Sequence, residues 1–202
     1  MPNLVRTTAL PTLADVQSLG ERVAGRVLSV GLLRWPAVPY GPDPAQQLYL
    51  WELHDLAPRD GWPAVILVPP EPDAAGTFAA LGPRLAQTGV LAAALRYRAD
   101  SAAADLAAAL SWLRSQQVDR DRLALWGEGA GAELAVEMAR TEQVRAVVAL
   151  GIDSATLGGT PLRVATRTDR ATRRSAVAWL TRTIDPPKRG SKWKIRRSKK
   201  KS

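Results

Sequence analysis

Between Leu48 and Leu150 the chain alternates two apolar patterns: short continuous runs, and longer stretches in which apolar residues return every three or four positions. The first kind reads as buried strands and the second as amphipathic helices. Strands are expected at 48–54 (LYLWELH), 64–69 (AVILVP), 90–98 (VLAAALRYR), 122–126 (RLALW) and 144–150 (VRAVVAL). Helices are expected over 75–89, with Gly89 just past the last turn, and from Ser101 as cap through a face of Leu106, Leu110 and Leu113. Another is expected over Ala130–Arg140. Short links between alternating strands and helices imply right-handed crossovers. The predicted fold class is therefore α/β, a three-layer, mostly parallel sheet with helices on both faces.

The pattern weakens toward both ends. Thr12 with Asp15, and Leu13, Val16, Val23 and Val27, fit a helix over 12–30 that Gly20 and Gly25 weaken. WPAVPYGPDP (35–44) holds four prolines and one glycine and reads as an extended connection. Beyond Asp153, PLRVAT (161–166) reads as one more strand and 171–184 as a helix with Val177, Leu180 and Ile184 on one face. The segment from Asp185 has two prolines, uniform charge and no periodicity, and is expected to be disordered. The expected divisions are an N-terminal appendage and linker (1–38), an α/β domain (39–185) and a basic tail (186–202).

Composition narrows the chemistry. With no cysteine there is no disulfide and no thiolate metal site, and neither metal nor cofactor is expected. Asp15, Glu21 and Arg22 interrupt any leader-like apolar run, and no stretch is long enough to span a bilayer, so a cytoplasmic protein is expected. The net charge of +9 is a local matter. Nine of the 28 basic residues follow Asp185, leaving 19 basic against 19 acidic in residues 1–185.

The candidate chemistry centres on LALWGEGAGAEL (123–134), where an apolar strand runs through three close glycines into an alanine-rich helix. Gly127 and Gly131 flank Gly129 as the glycines of a nucleophile elbow flank a serine, because side chains there would clash between strand and helix. Around this turn the chain resembles the α/β-hydrolase superfamily, in particular its small carboxylesterases of the acetyl- and feruloyl-esterase type. The resemblance runs over 39–153, through YGPDPAQQLYLWEL, PAVILVPP and FAALGPRLAQTGVLAAALRYR, and is strongest in DLAAALSWLRSQQVDRDRLALWGEGAGAELA. It implies a shortened hydrolase fold without a cap domain.

The resemblance also implies a site that has lost its parts. The elbow Gly127, Glu128, Gly129, Ala130, Gly131 has no hydroxyl at its centre. Pro69 and Pro70 stand where a His-Gly oxyanion motif belongs, and a proline nitrogen has no hydrogen to donate. The family's base comes late in the chain, whereas the single histidine is His54, beside Asp55. Asp169 falls at the family's acid position. Glu128 and the His54–Asp55 pair are weaker catalytic candidates than packing or surface residues, and Trp51, Trp112 and Trp126 are expected in the core.

The leading expectation is thus a catalytically degenerate α/β-hydrolase-like protein that binds or scaffolds. An active carboxylesterase with a non-standard site stays open. So does a nucleotide- or dinucleotide-binding protein, since Gly127, Gly129 and Ala132 also fit Gly-x-Gly-x-x-Ala, with Asp153 as the acid after the next strand. The tail offers Lys188, Arg189, Lys192, Lys194, Arg196, Arg197, Lys199, Lys200 and Lys201 to a polyanion, with Trp193 able to stack on a base. A solvated tail with no dedicated partner is the first reading; if the tail does bind, nucleic acid or another polyanion is expected ahead of an anionic lipid surface.

Overall fold

β4 (Trp62–Val68) is buried along its whole length, and a strand with no exposed face belongs in the middle of a sheet covered on both sides. It lies there in the computed structural model, which describes residues 32–53 and 60–184. β4 pairs in parallel with β5 (Leu91–Arg96) on one side and β6 (Val118–Glu128) on the other. β7 (Ala146–Leu150) and β8 (Leu162–Ala165) continue the parallel run beyond β6. The other edge is antiparallel: β3 (Gln47–Leu53) pairs with β5, while β1 (Leu32–Arg34) and β2 (Val38–Pro39) both pair with β3. The strand order is β1-β3-β5-β4-β6-β7-β8.

Among the described residues, four α-helices cover the two faces. α2 (Ala102–Arg114) and α3 (Ala130–Thr141) bury Leu106, Leu110, Leu113, Ala132 and Ala135 against one side of the sheet. α1 (Leu81–Ala86) and α4 (Arg170–Ile184) bury Leu81, Leu85, Ala176, Leu180 and Ile184 against the other. The fold is the three-layer α/β arrangement expected, and Trp51, Trp112 and Trp126 all lie in its core.

Some local expectations change. β1 and β2 lie in the stretch read as appendage and extended connection, and Trp35 and Val38 between and within them are buried. Trp35 is held by its indole N–H, which donates to Glu52 Oε1 at 2.9 Å. The single helix expected over 75–89 is instead a 3-10 turn at Ala74–Phe78 followed by the short α1. Pro83 cannot donate the bond a continuous helix would need there. Gly82 presses the segment onto Trp51, where a Cβ would stand 2.3 Å from the ring. Gly89 does follow the helix at φ +82°. Ser101 precedes α2 without capping it through its side chain; its hydroxyl lies 3.1 Å from Asp100 Oδ1. β6 runs well beyond the strand expected at 122–126.

Asp105, in the first turn of α2, is wholly buried. Its carboxylate accepts from Gln46 Nε2 at 2.7 Å, from the Arg98 backbone N–H at 2.8 Å and from Arg98 Nη2 at 2.7 Å. Burial alone would raise its pKa, but the bonds from Arg98 and Gln46 outweigh this and hold it below the ordinary value. One carboxylate thereby ties together the turn before β3, the end of β5 and the start of α2. Removing its cation partner should destabilise the fold at neutral pH, because the buried carboxylate loses its charged donor. A carboxylate with a depressed folded pKa stabilises fully above its unfolded value of about 4 and loses that contribution as pH falls through the folded value. Urea unfolding of Arg98→Ala should therefore show its largest deficit near neutrality, closing as acid protonates Asp105.

Candidate functional site

β6 ends at Glu128 and α3 begins at Ala130, so Gly129 makes the bend between them, at φ 55° and ψ −128°. Residues with a side chain rarely adopt that conformation. Its neighbours are fixed by backbone contact. A Cβ on Gly127 would stand 2.1 Å from the Gly131 carbonyl oxygen, and one on Gly131 would stand 2.3 Å from the carbonyl oxygen of Val68 at the end of β4. The Gly129 N–H donates to the Leu150 carbonyl at 2.8 Å, fastening the bend to the end of β7. The sequence-predicted elbow residues 127–131 are thus together in a sharp strand-to-helix turn at the carboxyl edge of the parallel strands.

The rest of that edge converges on the turn. Pro69 and Pro70 follow β4, and a Cβ at position 129 would lie 3.2 Å from Pro70 Cβ. Tyr97, after β5, points its hydroxyl at the Pro69 carbonyl, 3.3 Å away. Gly151, after β7, separates the turn from the loop after β8: a Cβ there would be 3.2 Å from Gly129 N and 3.3 Å from Thr168 Cγ2. Asp169 sits at the end of that loop and is engaged as a helix cap. Its Oδ1 accepts the Thr172 N–H at 2.8 Å, which holds its carboxyl below the ordinary value, and Arg167 Nε lies 2.6 Å from Oδ2.

Glu128 is 3% exposed and points away from solvent. It accepts two parallel bonds from Arg173 of α4, Nε to Oε1 at 2.8 Å and Nη2 to Oε2 at 2.5 Å, and a third from Trp126 Nε1 at 3.2 Å. The carboxylate in turn raises the Arg173 pKa through that hydrogen bond. Both carboxylate oxygens are thus engaged by one guanidinium in a bidentate pair. Here the pair clamps α4 to the elbow strand. Arg173 escaped the sequence reading because its partner lies 45 residues away in the chain.

The other candidates are dispersed. Asp153 is exposed in the loop after β7. His54 and the tail residues Lys188 to Lys201 lie outside the described residues, among which there is no histidine. No helix of the described residues is long and apolar enough to cross a membrane.

The sequence profile of the family described as the alpha/beta hydrolase fold matches residues 91–190, which contain the elbow and the α4 clamp. This chain has the α/β-hydrolase fold. Esterase B from Lactobacillus rhamnosis, solved with a tributyrin phosphonate inhibitor, superposes with a TM-score of 0.50 at 20% identity, over 69% of this chain and 57% of that one. A second inhibited form of esterase B gives 0.50 at 17% identity, over 88% of this chain and 67% of that one. The Pyrobaculum calidifontis esterase gives 0.49 at 20% identity, over 68% and 50%. At these identities the likeness is one of fold, and the chain spans 57% of the length of the first of these esterases. No curated protein sequence matches.

Within that fold, the chain keeps the packing that makes an elbow while its central residue is glycine. The backbone contacts predict that Gly131→Ala destabilises by about 3 kcal/mol or more, because the new methyl meets a strand carbonyl that cannot move aside. Denaturant unfolding would show it. Arg173→Met should cost about 3 kcal/mol by stranding the Glu128 charge, and adding Glu128→Gln should recover much of the loss. A double-mutant cycle measures both.

Proposed function

We propose that the chain is a catalytically degenerate α/β-hydrolase-like module that binds or scaffolds instead of cleaving esters, and that it contacts nucleic acid through its basic tail. The observation that carries the first half is Gly129. Acyl transfer needs an atom that attacks the carbonyl, and glycine at the elbow supplies none. Pro70 supports the same reading, since its nitrogen donates no hydrogen and its ring lies against the space a side chain at 129 would need. Glu128 is committed to Arg173 and Trp126 and is no substitute nucleophile. The nine basic residues between Lys188 and Lys201, with Trp193 among them, support the second half. We assign the cysteine-free chain to the cytoplasm.

Two measurements test this. The wild-type chain and Gly129→Ser should both fail to hydrolyse p-nitrophenyl acetate. The variant should also lose about 1–3 kcal/mol of stability from the strained backbone at φ +55°. Turnover by purified wild-type protein, with an acyl adduct on the chain, would overturn the degenerate reading. Binding to an oligonucleotide should weaken with rising salt and be greatly reduced on removing residues 186–202; unchanged affinity would remove the tail from the proposal.

A further inference from the structure

The balanced charge of residues 1–185 conceals a second asymmetry. Residues 1–160 carry 13 basic and 17 acidic side chains, whereas 161–184, from β8 through α4, carry six arginines and a single acid, Asp169. The excess is therefore inside the folded domain, at one edge of the sheet.

Most of it faces outward. α4 turns Ala176, Leu180 and Ile184 into the core and directs Arg173 at Glu128, which leaves Arg170, Arg174 and Arg182 exposed. None of these three has a carboxylate partner among the described residues. Arg170 and Arg174 are four residues apart and so adjacent on the helix, and Arg182 lies roughly 18 Å from Arg170 along the axis. Arg163 of β8 reaches over the same helix, its Nη2 2.8 Å from Ser175 Oγ. Arg182 in the last turn complements the helix dipole and Asp169 caps the start, but local helix stability does not account for the pair at the beginning: Arg170 stands in the first turn against the dipole and repels Arg174 four residues on.

Resting on the nucleic-acid reading of the tail, we propose that Arg163, Arg170, Arg174 and Arg182 form the folded part of the same interface, meeting the phosphates of a nucleic acid on the outer face of α4. A guanidinium fork suits phosphate oxygens, and phosphates neutralise the repulsion that the helix otherwise bears alone. The same face fits a bilayer poorly. Ala176, Leu180 and Ile184 of α4 are consumed by the core, Val177 and Trp179 are half-buried against it, and the exposed positions between the arginines are the small residues Ala171, Ser175 and Ala178. The binding is of the sequence-independent kind, since no base-reading element is required.

The test uses the full chain and a fluorescent 30-base-pair DNA duplex, titrated by anisotropy between about 50 and 200 mM salt. Three proteins are compared: wild type, Arg170→Gln/Arg174→Gln/Arg182→Gln, and a chain with the nine tail Lys and Arg changed to Gln. The triple face variant should bind roughly tenfold or more weakly, with its log–log salt slope shallower by about three. Its thermal midpoint should be unchanged or raised, since repulsion on α4 is relieved. Wild-type affinity and slope in the face variant, with binding lost in the tail variant, would overturn this inference and leave the tail reading intact. No duplex binding by wild type would overturn both. Binding to phosphatidylserine vesicles in place of the duplex would overturn the choice of partner.

Discussion

The structure depends on a backbone approach at the carboxyl edge of its sheet. Gly127 lies against the Gly131 carbonyl, and Gly131 lies against the carbonyl that ends β4, at separations that no Cβ could share. Such contact fixes the angle at which α3 leaves β6, and with it the way Ala132 and Ala135 meet the sheet. It also forces the intervening residue into a left-handed bend. In a hydrolase that bend would present a nucleophile. Here the same geometry is occupied by glycine.

Around this turn the buried polar groups act as fasteners. Glu128 binds α4 to β6 through Arg173, and Asp105 binds α2 to the ends of β5 and the turn before β3 through Arg98 and Gln46. Each carboxylate is satisfied by several donors, which is what allows it to be buried. Each also draws together segments that are distant in the chain, at the edge where ligands of α/β sheets usually bind. The two carboxylates at that edge are therefore satisfied by donors from within the domain. The uncompensated arginines of α4 are outside this network, on the face turned to solvent.

Much of the fold was legible in the chain. Continuous apolar runs such as AVILV and VVAL have no polar side to offer water, so they require cover on both faces and hence central parallel strands. The glycine spacing at 127–131 marked the elbow because Gly127 and Gly131 leave no Cβ at the two close backbone approaches. Reading 75–89 as one helix failed because periodicity ignores what Pro83 withholds and what Gly82 must fit beneath Trp51. The hydrophobic pattern likewise missed β1 and β2, whose few residues are too short to show a period.

What the sequence determined alone is local: which segments are strand or helix, that position 129 has no reactive atom, and that positive charge gathers toward one end. What tertiary structure decided is pairing. Glu128 could be a catalytic carboxylate or a fastener until α4 brought Arg173 to it, and Asp169 could orient a base or cap a helix until Thr172 supplied its N–H. The arginines of 161–184 became one surface only when α4 buried its apolar stripe and turned them outward together. Charge and hydrogen-bond capacity are carried by single residues, but their use depends on which partner the folded chain brings within about 3 Å.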